Sequence, residues 1–314
     1  MLRLLASRIA QVIPVLFVMS LAVFALTDLL PGDPTITVLG ENATPQQREV
    51  LRKEMGLDRP APLRYLDWMG RTLSGDLGST LRTREPVTAM IAARLPVTVE
   101  LTILSMLVAS LIGIPLGIAA ALKPNSWIDF AVSVTALAGM ALPFFWAGIL
   151  LIRLFSIQLG WLPPSGYVPI WVDPVRNLTL MVLPSLTVGG AMAGLIMRQT
   201  RSAMLQTLGQ DFIRTARAKG VPERTVVVRH GLRSALLPVV TVIGLQSGAL
   251  IGGAVVTETI FSLPGLGTMI VDGIFQRDFA VIQGALLTVV LAVVVVNLLT
   301  DLTYGLLDRR VRLA

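Results

Sequence analysis

Six runs of mostly apolar residues dominate the chain, near 9–30, 97–122, 130–152, 178–197, 235–257 and 280–300. Each reaches roughly the 20 residues that a helix needs to cross a hydrocarbon layer. Inside lipid the backbone N–H and C=O groups must be satisfied within the segment, so helices are the natural form. Composition agrees, with 54% of residues hydrophobic and 14% charged, against about a quarter charged in a soluble domain. The predicted fold is all-α, a polytopic membrane protein with six transmembrane helices. The first run follows Arg3 and Arg8 and has no small-residue cleavage site after it, which predicts a retained span rather than a signal peptide.

Between the first two spans lies a long polar segment, 31–95, of near-balanced charge. Thr44-Pro45-Gln46-Gln47 has the form of a capping box with proline at the first helical position. The helix it opens carries Val50, Leu51 and Met55 and stops at Gly56. A second amphipathic run has Leu63, Leu66, Trp68, Met69 and Leu73 and ends at Gly75. A third opens at Pro86 with Val87, Met90, Ile91 and Leu95. The segment is expected to be an ordered helical cap outside the membrane, or a set of helices resting on its surface. The domain reading is thus 1–30 as first transmembrane helix, 31–95 as extracytoplasmic cap, and 96–314 as a five-helix core.

Orientation follows from basic residues in the short loops. With the N-terminus inside, Lys123, Arg198, Arg201, Arg309, Arg310 and Arg312 all fall on the cytoplasmic side, and the short outer loops hold Arg176 and Arg277, with Arg153 at a span end. Both termini are then cytoplasmic. So is the long polar interruption 211–238, which carries Arg214, Arg217, Lys219, Arg224, Arg229 and Arg233 against Asp211 and Glu223. Gly220-Val221-Pro222 divides it into two short helical runs, a shape suited to being gripped by another protein. The net charge of +7 is accounted for by such loops, which leaves nucleic-acid binding as the weaker reading.

Groups for catalysis are scarce. Cysteine is absent and His230 is the single histidine, so thiolate chemistry and histidine metal centres have no donors. No G-x-x-x-x-G-K-[ST] phosphate loop and no H-E-x-x-H occurs. Asp28, Glu100, Arg153 and Asp301 lie near predicted span ends, where interfacial placement is the default. Glu258, just past the fifth span, reads first as an interfacial residue capping the loop, and second as a functional acid. Gly113/Gly117 and Gly244/Gly248/Gly252 set small residues on single helix faces, permitting close approach or lining a solute path. Gln246 and Ser247 add polar atoms to the fifth span. Phe261-Ser262-Leu263-Pro264-Gly265-Leu266-Gly267 demands a tight re-entrant or surface turn, a candidate outer gate at Phe261, Pro264, Gly265 and Gly267.

Several of these residues together resemble the membrane-spanning permease subunits of bacterial ABC importers for dipeptides, oligopeptides, glutathione and nickel, specifically the first subunit of the pair. They are Leu30-Pro31-Gly32-Asp33-Pro34, Gly56-Leu57-Asp58-Arg59-Pro60, Gly75-Asp76-Leu77-Gly78, Arg214-Thr215-Ala216-Arg217-Ala218-Lys219-Gly220, the 261–267 turn and Leu307-Asp308-Arg309-Arg310-Val311-Arg312. The resemblance implies a type I importer permease fold in the bacterial inner membrane. It also implies a coupling loop over 206–234 that docks on an ATPase through a pattern written E-A-A-x-x-x-G. Arg214 stands where that pattern has glutamate. Thr215, Ala216 and Gly220 follow it, and Arg217, Lys219, Glu223 and His230 complete the expected coupling set. Implied partners are a second homologous permease, two ATPase subunits or domains that bind ATP and magnesium, a solute-binding protein outside, and membrane lipid. No cofactor, catalytic residue or metal is expected in this chain. Short peptides are the first substrate reading and nickel chelates, glutathione or another small solute the alternative. Gln246, Ser247, Gly248 and Glu258 are the expected lining of the substrate pathway. A stand-alone channel or secondary transporter remains as a different class.

Overall fold

The computed structural model describes residues 2–29, 34–40, 43–54 and 56–307. Residues 30–33 and 308–312, which carry parts of two motifs quoted above, lie outside them, as does Met55. In chain order the first helices are α1 (Leu2–Leu29), α2 (Pro34–Leu39), α3 (Pro45–Glu54) and α4 (Ala61–Leu73). Then come α5 (Val87–Leu122), α6 (Trp127–Ala141) and α7 (Phe144–Leu151), the last continued by a π-helical turn, Ile152–Gln158. Next are α8 (Pro174–Leu208), α9 (Asp211–Ala218) and α10 (Glu223–Thr225), followed by a second π-helical stretch, Val226–Gly231. The chain continues through α11 (Leu232–Gly253), α12 (Val255–Ile260), α13 (Leu266–Gln276) and α14 (Phe279–Leu307).

Among the described residues four helical segments are long and apolar enough to cross a membrane: Val87–Leu122, Pro174–Leu208, Glu223–Gly253 and Phe279–Thr303. In α1 the apolar part is Gln11–Leu26. The predicted straight span 130–152 is instead a pair bent by 99° between α6 and α7. Proline is the cause. Pro143 disfavours helical geometry in the residue before it, and Leu142 is extended at φ −77°, ψ 129°. The predicted fifth span also breaks early: α11 ends at Gly253, and after Ala254 the chain re-enters a helix as α12.

The chain divides into two compact units, one of Leu2–Thr98 with Pro264–Ala292, the other of Val99–Leu263 with the chain from Val293 onward. In the first unit the Thr44 capping box forms as predicted: the Thr44 N–H donates to Gln47 Oε1 at 2.9 Å and the Gln47 N–H to Thr44 Oγ1 at 3.3 Å. Helix α4 packs on α1, but not through the predicted leucines. Leu63, Leu66 and Leu73 are exposed, and the buried face is Tyr65 and Trp68 against Phe24 and Leu287. Aromatic rings supply more buried area than leucine, and the Tyr65 hydroxyl also finds Ser20 Oγ at 2.8 Å. The run opened by Pro86, predicted as a third separate helix, is the beginning of α5. Its Val87 and Ile91 are buried with Leu266, Met269, Val281 and Ala285, a packing that holds the helix through Pro96.

In the second unit α8 is the central helix. Asp173 caps it by accepting from the Arg176 N–H at 3.0 Å, with Pro174 at the first position. Small residues let its neighbours approach closely. A Cβ built on Gly113 of α5 would lie 3.0 Å from the Ala193 carbonyl oxygen, and one on Gly117 would lie 2.7 Å from that of Met197. The predicted Gly113/Gly117 face is therefore a packing face against α8. Gly244 and Gly248 of α11 similarly face Thr300 and Val293 of α14.

Candidate functional site

The polar loop is a helix–turn–helix built by its own sequence. Helix α9 has Asp211 in its first turn and Arg217 in its last, both favourable to the helix dipole. It stops because Gly220 takes φ +76°, a conformation that costs a residue with a Cβ. The Gly220 N–H donates to the Arg217 carbonyl at 2.9 Å and the Val221 N–H to the Ala216 carbonyl at 3.2 Å, which together make a Schellman ending. Across the turn the Arg217 guanidinium grips Glu223, with Nη2 to Oε1 at 2.6 Å and Nε to Oε2 at 3.1 Å. That hydrogen bond to Glu223 holds the Arg217 guanidinium above its ordinary pKa.

Ile213 on α9 is fully buried, and Val227 on the following turn packs with Ala121, Met204 and Ala235. The outward side of α9 is left with Phe212, Arg214, Thr215, Arg217 and Lys219, while Ala216 is half-buried. Arg214 lies 3.6 Å from Asp211. His230 is half-buried in the π-helical stretch. Phe212, an exposed aromatic amid charge, was not singled out in the sequence, although its apolar type inside a basic stretch is a readable signal.

Two turns before the end of α8, Arg201 holds Asp129 of α6, with Nη2 to Oδ2 at 2.7 Å and Nε to Oδ1 at 2.5 Å. Asp129 is buried, and its Oδ2 also accepts from the Asn125 N–H at 3.0 Å. The sequence reading counted Arg201 only as a loop charge and passed over Asp129. The Ser126-x-x-Asp129 spacing of a helix start was the available clue, and Ser126 does accept from the Asp129 N–H.

At the far end of the same unit, Glu258 of α12 is fully buried rather than interfacial. The Leu263 N–H donates to the Glu258 carbonyl at 2.7 Å and Ser262 sits at φ +51°, closing the turn. Phe261 and Leu263 are buried with 1% exposure each, while Ser262 and Pro264 are exposed, so the turn buries alternate residues. The Gly166 N–H donates to the Phe261 carbonyl at 2.9 Å. Next to Gly166, the Tyr167 hydroxyl donates to Glu100 Oε2 at 2.8 Å. Glu100 thus has a partner within the protein. Burial, and then the Glu100 carboxylate, push the Tyr167 phenol well above its usual pKa, so it stays a donor. In the other unit Gly265 begins α13, where its N–H donates to Thr268 Oγ1 at 3.1 Å; Gly265 and Gly267 are buried and Pro264 is exposed. Tyr167→Phe is expected to destabilise the chain by about 1–2 kcal/mol. It would leave the carboxylate, whose Oε1 already lacks a hydrogen bond, with neither oxygen satisfied. A thermal melt of the purified protein checks this.

Helices α7, α8, α11 and α12 line an open pocket of about 180 Å³. Gln246 lines it, with Thr257, Phe144, Val188, Met192 and Leu250. Ser247 and Gly248 do not: Ser247 Oγ donates to the Ile243 carbonyl at 2.8 Å, and Gly248 faces α14. Of the expected pathway residues, then, Gln246 reaches the pocket, and Glu258 is buried beside Thr257 in sequence.

Comparison with known proteins matches both parts of the chain. Residues 113–313 match the family described as binding-protein-dependent transport system inner membrane component, and residues 1–102 match its N-terminal counterpart. A putative peptide transport system permease protein of Brucella abortus is 42% identical over 312 residues, covering 99% of each chain. The di/tripeptide transport system permease protein DppB of Pseudomonas aeruginosa is 41% identical and the dipeptide transport system permease protein DppB of Escherichia coli K12 is 40% identical, again over 99% of each. Among solved structures, an inward-facing form of the MetNI methionine ABC transporter aligns with 70% of this chain and 96% of its own at a TM-score of 0.56 and 21% identity, which shows a shared fold. The chain belongs to the family of binding-protein-dependent transport system inner membrane components.

Proposed function

We propose that this chain is the translocating permease of an ATP-driven importer of short peptides. The observation that carries the reading is the identity of 40–42%, end to end, with permeases of peptide, di/tripeptide and dipeptide transport systems. The α9 loop is the coupling element. Its exposed residues include the aromatic Phe212 and the basic Arg214, Arg217 and Lys219, a surface for a cleft on an ATPase that binds ATP and magnesium. The Schellman turn and the Arg217–Glu223 grip make that surface rigid enough to transmit a displacement to α8 and α11. A second homologous permease and an outer solute-binding protein complete the assembly. Both termini and the α9 loop face the cytoplasm, in line with the basic loops. No catalytic group is needed here, since hydrolysis takes place on the partner.

Uptake of labelled dipeptides by cells lacking their own permease, restored by this gene with its partners, tests the assignment; uptake of glutathione or nickel chelates in place of dipeptides would overturn it. The double substitution Arg217→Glu with Lys219→Glu is expected to lower uptake about tenfold or more while ATP hydrolysis continues uncoupled. Normal uptake by that variant would remove α9 from the coupling role. Arg214→Glu places a carboxylate three residues from Asp211, a like-charge pair on one helix face. Peptide-stimulated ATPase is expected to fall, and an unchanged rate would show that the arginine has no part of its own.

A further inference from the structure

Helix α7 and the π-helical turn that continues it have two unlike faces. Gly148 is buried on one of them: a Cβ there would lie 3.1 Å from Thr187 Cγ2 of α8 and 3.4 Å from the Phe261 ring. The other face is exposed and bulky. On it Trp146, Leu150, Arg153 and Ile157 follow at steps of four, three and four residues, the spacing of one helix side. Helix contacts within membranes favour small residues, and the close approaches in this chain run through Gly113, Gly117 and Gly194. The exposed face of α7 offers large side chains instead, which suits it to lipid and not to another helix.

Arg153 is the anomaly on that face. It belongs to the apolar segment Phe144–Gln158, half of the bent pair. It is exposed, and among the described residues no carboxylate pairs with it. Charges inside membrane segments are rare and are normally matched by an opposite charge. The stretch around it, Ile152–Gln158, is π-helical, a form that recurs at functional sites. Its level is given by the chain that follows. After Gln158 the backbone doubles back, so that the Trp161 N–H donates to the Phe155 carbonyl at 2.9 Å and the two rings lie 6.0 Å apart. Trp161 is 68% exposed. An exposed indole on a membrane protein settles at the headgroup level, and Phe155 is two residues from Arg153, about 3 Å of helical rise. The guanidinium therefore stands near the headgroups, at the end of an apolar stripe.

We infer that Arg153 holds the phosphate of a bound phospholipid. The planar guanidinium supplies paired N–H donors to two phosphate oxygens. Trp161 marks the same level, and the acyl chains run along Leu150 and Trp146, away from Gln158. The phosphodiester brings the opposite charge that this face of the chain does not provide. The site belongs to the membrane-embedded fold and does not depend on which solute the importer carries.

This chain contains no cysteine, so one introduced cysteine can be labelled, with the unsubstituted importer labelled in parallel as background from its partners. In the complete importer in liposomes, a nitroxide on Leu150→Cys is expected to be relaxed by oxygen, which partitions into lipid, far more than by a water-soluble nickel chelate. Relaxation by neither would mean that another protein covers this face. Relaxation chiefly by nickel would mean that it lines an aqueous path, and either result overturns the site. Affinity is read in the delipidated importer in detergent, with an environment-sensitive fluorophore on Ile157→Cys, one turn from Arg153. In a titration with dioleoylphosphatidylglycerol, Arg153→Leu is expected to raise the half-saturating concentration about tenfold, the worth of a hydrogen bond to a charged group. Arg153→Lys is expected to lose less. Dioleoylglycerol has the same chains and no phosphate, and is expected to bind the parent and Arg153→Leu alike. Equal half-saturation by phosphatidylglycerol in the parent and Arg153→Leu, or an equal loss with dioleoylglycerol, overturns the role of the phosphate.

Discussion

Replacing Gly194 by alanine is expected to lower the melting temperature of the purified transporter by roughly 5–10 °C, while the same change at Gly190, one helical turn away, leaves it nearly unmoved. The two positions share a helix, a residue type and a substitution, and differ in what the new methyl meets. At Gly190 a Cβ finds nothing within 4 Å. At Gly194 it falls 2.5 Å from the Ala136 carbonyl oxygen and 3.3 Å from that residue's carbonyl carbon and Cα. Those are backbone atoms of α6, so no rotamer change can make room, and the whole helix must move off α8. Ala136, Ala193, Ile196 and Met197 form the packed cluster at this crossing, and the displacement would open gaps along it. Overpacking of such a core costs typically 1–3 kcal/mol, and a backbone obstacle belongs at the upper end. A loss of that size also lowers the steady-state amount in the membrane several-fold. Equal melting temperatures for the two alanine variants would show that α6 and α8 are not held at this distance.

How much of this was legible in the sequence depended on the range of the forces involved. The capping box at Thr44, the helix end at Gly220 and the glycine face of Gly113 and Gly117 were readable because each is decided by a few residues along one chain segment. The proline at 143 was equally visible, yet a hydropathy run counts apolar residues and is blind to direction, so the 99° bend was lost. Leu63 and Leu66 scored as an apolar stripe, but the competition for the buried side of α4 was won by Tyr65 and Trp68, whose partners lie some 40 residues away on α1. The candidate sites divide in the same manner. The α9 surface came from local residues. The pocket, the burial of Glu258, the Tyr167–Glu100 contact and the Arg201–Asp129 pair each require two distant segments to be brought together, and nothing in either segment alone names the other.

That last pair supports the other large effect. Arg201→Ala is expected to reduce the amount of folded transporter in the membrane several-fold, more than any other single charge removal in this region. Asp129 is buried, and without the guanidinium its carboxylate keeps only neutral hydrogen-bond donors, the Asn125 N–H and Ser133 among them. A buried charge stripped of its partner is far costlier than the pair was helpful, and the damage spreads because Asp129 is in the first turn of α6 while Arg201 stands two turns before the end of α8. The contrast that identifies the cause is a second substitution. Asp129→Asn removes the charge that Arg201→Ala strands, so the double variant is expected to accumulate better than Arg201→Ala alone, a positive coupling in a double-mutant cycle. If the α9 loop couples as proposed, uptake per folded molecule should not recover equally, since α8 would no longer be anchored to α6 where it leads into that loop. Additive losses in the cycle would mean that Arg201 acts through its stem and not through its charge. Full uptake per molecule in the double variant would mean that the pair stabilises the fold and takes no part in transmission.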